Sequence, residues 1–598
     1  MKTPALLPCP RSLKILRGSF ALPKKKPLAS IKITSADSAP NHPEGYALTI
    51  SKNGIEISFH KTGGLRAAAA TLRQLLRQFG CCLPCLKIRD WPDFPRRGVM
   101  LDISRGRVPM LETLLDLAEK LSDFKINELQ LYTEHTFAYR KYKSVWQSWG
   151  ALTAKEIQIL DAHCRELGID LVPNQNSFGH LRYFLEHPKL KNLAEVSEPY
   201  EGGDGATGNQ EFLRRPTTLA PNHPQTISFL RGLYDELLPN FSSQFFNVGC
   251  DETWDLGHGQ SKILCERKGK GRVYLDFLKK IHREVSARDR KMMFWGDIIL
   301  KHPKLIRELP ENLVALNWGY EANHPFEKEA AKFAKAKIPF YVCPGTSTWQ
   351  TLIGKHDNAL VNLGTAAKVG KRFGAIGYLI TDWGDGGHPQ PLAVSWPMLV
   401  AGAALAWNAK HFDEAKLVPV LSRDIFGNEN VAQTAFELGF IHRTLGVNAP
   451  NETPLGTALA APKSEERELF CRNGLKWFAK IPAGKIRAAL REIKRQRANL
   501  KRSNPKSDLE NMLRRELDLA ARMAAESCKF MLWQKAVAAG KTLEAKKLAQ
   551  TGVRELQKIG KDFNALWPLR NKATPKHCSA FLSWRMNDYR RGFVSSPA

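Results

Sequence analysis

Phe245-Phe246-Asn247-Val248-Gly249-Cys250-Asp251-Glu252-Thr253-Trp254 is a short apolar run that ends in two adjacent carboxylates and a tryptophan. It has the length and composition of a strand and delivers Asp251 and Glu252 at its C-terminal end. Successive strand residues face opposite ways, so both carboxylates reach one pocket only where the strand is ending. Two neighbouring carboxylates resist simultaneous ionisation, which predicts one kept protonated as a general acid. An Asp-Glu pair alone is as common on a solvated helix, so the context of the run has to decide.

Seven further runs of strand length occur in the same part of the chain: Val99–Ile103, Glu128–Tyr132, Asp170–Asn174, Met292–Trp295, Val314–Trp318, Phe340–Cys343 and Gly377–Ile380. Amphipathic helical patterns separate several of them. Leu111, Leu114, Leu115, Ala118 and Leu121 share one face, as do Ile157, Leu160, Cys164 and Leu167 ahead of a stop at Gly168. Eight strand-helix alternations predict an α/β fold, a (β/α)8 TIM barrel, over about 93–410. Such a barrel carries its active site at the C-terminal ends of its strands. There stand Arg105, Glu134, His180, Asp251 with Glu252, Trp295 with Asp297, Trp318 with Tyr320, Tyr341, and Trp383 with Asp385. Aromatic faces among carboxylates and amides describe a pocket for a sugar, whose C–H faces stack while its hydroxyls bind polar groups.

The flanks read differently. Residues 1–92 predict a small α+β domain: strands at Tyr46–Ile50 and Ile55–Phe59 joined at Lys52-Asn53-Gly54, then a helix from Leu65 to Phe79 stopped by Gly80. Residues 411–598 predict a helical, basic C-terminal region with helices near Leu490–Leu500, Leu509–Phe530 and Leu543–Ile559. The net charge of the chain is +30, and residues 464–598 hold 30 Lys and Arg against 13 Asp and Glu. That concentration is read as solvated helical faces that favour anionic surfaces; without a recognition motif, nucleic acid is not the expected partner.

Hydrophobic residues at 43% and charged residues at 25% are those of a globular protein, and no apolar stretch predicts a membrane span. Pro4, Pro8 and Pro10 with Arg11, Lys14 and Arg17 break any signal-peptide pattern, so a cytoplasmic location is expected. Eleven scattered cysteines predict reduced thiols. Cys82 and Cys85 form a lone C-x-x-C beside Cys81, read as apolar packing and not as a metal site.

Residues 245–254 resemble the catalytic motif of glycoside hydrolase family 20, an apolar pair followed by Gly-Gly-Asp-Glu. Cys250 stands at the second glycine, as in that family's hexosaminidase D branch. Arg97-Gly98-Val99-Met100-Leu101-Asp102-Ile103-Ser104-Arg105 is similar to the family's first barrel strand, and Val172–His180 to its third. Thr381-Asp382-Trp383-Gly384-Asp385 is similar to its last-strand W-x-E. The run GIEISFHKTGGLRAAAATLRQLL over 54–76 resembles the small domain that precedes the barrel. The resemblance covers roughly residues 10–410.

It implies an exo-β-N-acetylhexosaminidase that works by substrate-assisted retention on glycans with terminal N-acetylhexosamine, without metal or organic cofactor. Glu252 is implied as general acid/base, and Asp251 as the group that orients the 2-acetamido nucleophile. Arg105 is implied for ring hydroxyls, Trp295, Trp318 and Trp383 for aromatic walls, and Tyr341 as donor to the acetamido oxygen. Asp385 is implied for a hydroxyl, and His180 for support. The chain departs from the family at Thr133-Glu134-His135 and at Asn174 and Asn176, where acidic residues are usual, so Glu134 and His135 are expected to rebuild the outer-hydroxyl subsite. Two other readings stay open: a retaining glycosidase with Asp297 or Asp385 as nucleophile, and an inactive glycan-binding protein.

Overall fold

Alternating side chains in the first hundred residues build a sheet with one apolar face. In the computed structural model, which describes residues 3–25, 27–36, 38–198, 200–201, 213–460 and 480–591, the sheet has five strands: β1 (Ser12–Ala21), β2 (Ile31–Ser35), β3 (Tyr46–Ser51), β4 (Gly54–Phe59) and β5 (Cys82–Asp90), in the order β1-β5-β3-β4-β2. The expected hairpin is β3–β4, paired from Tyr46 with Phe59 to Ser51 with Gly54. Leu48, Ile50, Ile55 and Ile57 bury one face of it against Ala67, Ala68, Leu72 and Leu75 of helix α1 (Thr62–Phe79). Cys85 is buried in β5 while Cys81 and Cys82 are exposed. Residues three apart on a strand point to opposite faces, so Cys82 and Cys85 neither chelate together nor share the expected apolar packing.

The barrel follows. Its strands are β6 (Arg96–Asp102), β7 (Glu128–Tyr132), β8 (Asp170–Val172), β11 (Phe245–Asn247), β12 (Lys291–Trp295), β13 (Leu313–Trp318), β14 (Phe340–Cys343) and β15 (Gly377–Asp382); β9 (Tyr200–Glu201) and β10 (Leu213–Arg214) form a separate two-stranded ribbon. The eight barrel strands are parallel in the order β11-β12-β13-β14-β15-β6-β7-β8. Closure between β8 and β11 is made by an Asn174–Asn247 bridge, with Asn247 N–H donating to Pro173 O at 2.9 Å and Gln175 N–H to Asn247 O at 3.0 Å. Met100, Val172, Met293, Val314, Leu316 and Leu379 point inward into the barrel core, and the outward residues join the core under the helices.

Helices α2 (Leu111–Asp123), α3 (Ala154–Leu167), α4 (Thr226–Leu237) and α5 (Lys270–Ser286) cover the first connections. Helices α6 (Phe326–Lys335), α7 (His356–Arg372) and α8 (Trp396–Asn408) cover the last ones. Thr153 and Glu156 form a reciprocal capping box at the start of α3, and Gly168 ends it in the left-handed conformation at φ +77°. Between β12 and β13 there is only the short helix Asp297–Leu300 and a 3-10 segment. That connection is where strand-helix alternation is weakest.

The sheet and the barrel meet at a buried carboxylate. Asp90, at the end of β5, accepts from Tyr46 Oη at 3.0 Å, Lys125 Nζ at 2.9 Å and Trp407 Nε1 at 2.9 Å. Lys125 is itself buried, and burial lowers its pKa against the pull of Asp90. C-terminal to the barrel, the long helices are α9 (Ala483–Lys501), α10 (Asp508–Ala538), α11 (Thr542–Leu566) and α12 (Lys576–Arg591). They extend past the expected limits because burial on α10, from Leu513 to Ala536, supplies what local propensity does not. Lys485, Arg487, Arg491, Lys494, Lys546, Lys547, Lys558 and Lys561 lie exposed on their outer faces. Of the basic stretch, residues 464–479 and 592–598 lie outside the described residues. No helix among the described residues is long and apolar enough to cross a membrane.

The Asp90 joint gives a stability prediction. Asp90→Ala strands the Lys125 ammonium in an apolar site and is expected to lower unfolding stability by about 3–5 kcal/mol. Asp90→Ala with Lys125→Met is expected to recover a large part of that loss. Denaturant unfolding of the three proteins measures both.

Candidate active site

β11 stops at Asn247, and the chain then turns left-handed: Gly249, Cys250 and Glu252 have φ of +66°, +70° and +46°. Only glycine fits at 249, because a Cβ there would come within 2.1 Å of Asn176 Oδ1. Cys250 points outward into the core under the helices, and its carbonyl accepts from Tyr274 Oη at 2.9 Å. The turn is what frees Asp251 and Glu252 from strand alternation and brings both carboxylates to one histidine. His180 Nε2 lies 3.4 Å from Asp251 Oδ2 and 3.4 Å from Glu252 Oε2. Asp251 Oδ1 has no partner among the described residues.

His180 sits at φ +57° after Gly179, where a Cβ would be 2.4 Å from Asp251 O. Burial alone would lower its pKa; the nearby Asp251 and Glu252 carboxylates overcome this and hold it well above the usual value. That shift favours the imidazolium form. His180, Asp251 and Glu252 also offer three donor atoms within 4.8 Å of one another, a spacing that fits a cation. A protonated imidazole cannot ligate, so a metal would first have to displace that proton.

Asp297, at the start of the short helix after β12, accepts from Glu252 N–H at 3.3 Å. Burial, then Asp251 and Glu252, push its pKa up to about 8. On the other side of His180, Nδ1 is 3.8 Å from Glu134 Oε1, and Glu134 pairs with Arg105 at 3.1 Å and accepts from Tyr132 Oη at 3.0 Å. Arg105 also pairs with Asp102 at 3.2 Å, and its guanidinium lies 4.7 Å from the Tyr132 ring and 5.5 Å from the Trp383 ring. Burial raises Asp385 to about 6, although Arg105 opposes it. Burial raises Glu134 too, against Arg105 and His180.

The aromatic residues form a continuous wall. Trp295 and Trp383 are 6.0 Å apart, Trp383 meets Tyr132 edge-on at 4.7 Å and Tyr320 at 6.3 Å, and Tyr320 stacks on Trp318 at 5.1 Å. The indole N–H groups of Trp295 and Trp318 have no partner among the described residues.

Tyr341 is not part of this wall. It pairs in register with Leu316 and with Gly377, which opens β15, and its hydroxyl donates to Glu128 Oε2 at 3.0 Å. Glu128 opens β7 and pairs with Arg96, which opens β6, at 2.6 Å. Tyr341 thus belongs to a polar plug at the far end of the barrel. Being the second residue of its strand, it faces inward but too early. His135 is also displaced: it packs on Tyr183 at 4.2 Å and Trp149 at 5.3 Å, with burial lowering its pKa to about 3. Asn174 accepts from Thr133 N–H at 3.1 Å and Asn176 donates to Thr133 O at 3.1 Å, so both tie loops together. Asp297 and Tyr320, which the sequence already sets two residues beyond strand-end tryptophans, lie beside Glu252 N–H and Trp318 respectively.

Two family models match the chain: the glycosyl hydrolase family 20 catalytic domain over residues 94–350 and domain 2 of that family over residues 24–91. Together they span more than half of its length. The chain belongs to glycosyl hydrolase family 20. This family 20 chain is 22% identical over 381 residues to a lacto-N-biosidase of Bifidobacterium bifidum, covering 60% of the chain and 32% of that protein. It is 22% identical over 362 residues to hexosaminidase D of Bos taurus, covering 57% of the chain and 99% of that protein. In fold it is similar to a chitobiase of Flavobacterium johnsoniae, with a TM-score of 0.57 at 16% identity over 97% of this chain and 99% of the other. The chain spans half or less of the length of the first curated relatives it matches, at 32%, 45% and 50%.

A carboxyl whose folded pKa is raised is more stable protonated. Its contribution falls as pH climbs from the unfolded value near 3.8 towards about 8. Asp297→Asn keeps an acceptor for Glu252 N–H but removes the ionisation. Unfolding midpoints measured from pH 4 to 8 should therefore decline less steeply in the variant than in the parent.

Proposed function

We propose that this family 20 chain is an exo-β-N-acetylhexosaminidase that uses the substrate's own 2-acetamido oxygen as nucleophile. The observation that carries this reading is the left-handed turn, which presents Asp251 and Glu252 together beside the His180 imidazolium and the tryptophan wall. Glu252 protonates the glycosidic oxygen and later takes a proton from the water that opens the oxazolinium intermediate. Asp251, whose Oδ1 has no partner among the described residues, accepts from the acetamido N–H and stabilises the charge that develops on the ring formed by that group. The His180 imidazolium binds both carboxylates and keeps them from separating. Trp295, Trp318, Trp383 and Tyr320 surround the acetamido group and the sugar face, and Arg105, Glu134 and Asp385 bind the hydroxyls opposite.

A protein nucleophile fits the site less well. Asp297, one of the two candidates for such a role, has its pKa pushed up to about 8 by burial and by Asp251 and Glu252, and a protonated carboxyl is a poor nucleophile. A cytoplasmic location belongs to the same proposal. It is supported by the ten described cysteines, all of them unpaired thiols, as in a reducing compartment.

The test is release of p-nitrophenol from β-GlcNAc, β-GalNAc and β-glucose glycosides. Turnover confined to the acetamido sugars is expected, and turnover of the glucoside at a similar rate would overturn the mechanism. Glu252→Gln is expected to lower kcat by roughly 10²–10⁴-fold. Asp251→Asn is expected to slow acetamido substrates selectively and to weaken inhibition by a thiazoline analogue of the intermediate.

A further inference from the structure

The segment Arg570–Cys578, which runs into the first turn of α12, contributes no group to the mechanism above, yet it lies across the three loops that carry Arg105, Glu134 and Asp385. Its backbone is paired to the first of them: Met110 N–H donates to Arg570 O at 2.8 Å and Lys572 N–H to Val108 O at 2.8 Å. Lys572 Nζ donates to Ala151 O at 3.0 Å and to Glu156 Oε2 at 2.6 Å, which ties the segment to the second. His577 lies flat on Trp149, with ring centroids 3.7 Å apart at 16°, and its Nε2 is 3.0 Å from Ser148 O, 429 residues away in sequence. Trp149 in turn meets the ring of His135, the neighbour of Glu134.

The other two loops touch the same two residues through glycines. A Cβ on Gly106, next to Arg105, would lie 3.0 Å from Cys578 Sγ and 3.3 Å from His577 Cβ. A Cβ on Gly387, two residues after Asp385, would lie 3.3 Å from His577 O. Both glycines have positive φ, +100° and +96°, so neither loop could hold this contact with an ordinary residue. The body of α12 is anchored independently of these contacts. Tyr589 packs on Phe530 and Trp533 and donates to Glu526 at 2.9 Å.

We propose that His577 and Cys578 are positioning residues for the sugar pocket: they fix the three loops so that Arg105, Glu134 and Asp385 converge on the ring hydroxyls opposite the acetamido group. The inference rests on the proposed function for what the pocket binds, and on geometry alone for what holds the loops. The three loops are tied to one another directly, Glu134 N–H donating to Ser104 Oγ at 2.8 Å and Gly384 N–H to Asp102 Oδ2 at 2.9 Å, and a body that touches all three adds to those ties in setting their relative placement. The turn into α12 is that body, and the C-terminal helices thereby act on specificity for the sugar's outer hydroxyls while leaving Asp251 and Glu252 untouched.

The experiment compares the parent with His577→Ala, His577→Phe and Cys578→Ser in the full chain. Substrates are the p-nitrophenyl β-glycosides of GlcNAc and of its 4-deoxy analogue. His577→Ala is expected to raise KM for the GlcNAc glycoside about 10-fold with kcat within about threefold. His577→Phe, which keeps a ring on Trp149, should restore most of it, and the 4-deoxy substrate, lacking the hydroxyl concerned, should show little change. Hydrogen exchange should rise in His577→Ala over residues 104–110, 133–151 and 384–388 and remain parental in β11 and its turn. Unchanged KM, an equal loss on the 4-deoxy substrate, or unchanged exchange in the three loops would overturn the proposal. If the parent turns over neither sugar, the proposed function fails, and the exchange measurement alone decides the positioning role.

Discussion

The site depends on one steric constraint, the contact between Asn176 and the backbone at Gly249. The loop after β8 passes so close to the loop after β11 that residue 249 has no room for a side chain. The left-handed turn that follows is costly, because Cys250 and Glu252 hold positive φ without being glycine; such conformations cost on the order of 1–3 kcal/mol each. The surroundings hold them in place. The Cys250 side chain is buried in the core, its carbonyl accepts from Tyr274, and Glu252 N–H donates to Asp297. The reciprocal contact, Gly179 against Asp251 O, locks His180 into the same arrangement. Barrel closure between β8 and β11 through Asn174 and Asn247 brings these two loops together.

Electrostatics follows from that geometry. Six carboxylates, Asp102, Asp251, Glu252, Asp297, Glu134 and Asp385, gather around the cations His180 and Arg105. The imbalance is relieved by protons. His180 is pushed towards its charged form, and the pKa of Asp297, the carboxyl in contact with the Glu252 backbone, is pushed up to about 8. The pocket is thereby divided. Asp251, Glu252 and Asp297 stand on one side of His180, and Glu134 and Arg105 on the other, with the tryptophans and Tyr320 walling the space.

Legibility in the sequence varied with how local each decision was. The eight apolar runs and the helix stops at Gly80 and Gly168 are local, and the barrel strands form within one to three residues of the runs. Asp251 and Glu252 were legible as a pair at a strand end, but the reason they cooperate was not. A strand end alone does not make neighbours face one way, whereas a left-handed turn does, and that turn is imposed by a residue 73 positions earlier in the numbering, Asn176 against Gly249. Tyr341 was placed at the sugar because aromatic residues on short strands look alike; its height in the barrel is set by register with Gly377 and Leu316. His135 was placed beside Glu134 by adjacency, yet it packs into a cluster with Trp149 and Tyr183.

By itself the sequence determined the strand-helix alternation, the paired carboxylates and the supply of tryptophans at strand ends, because these are matters of composition and period along the chain. The tertiary structure alone decided that Tyr341 and His135 leave the site, and that a segment near residue 577 touches loops near residues 106, 149 and 387. Each of those outcomes depends on barrel register and on contacts between residues far apart in sequence, for which no local pattern of side chains carries a signal.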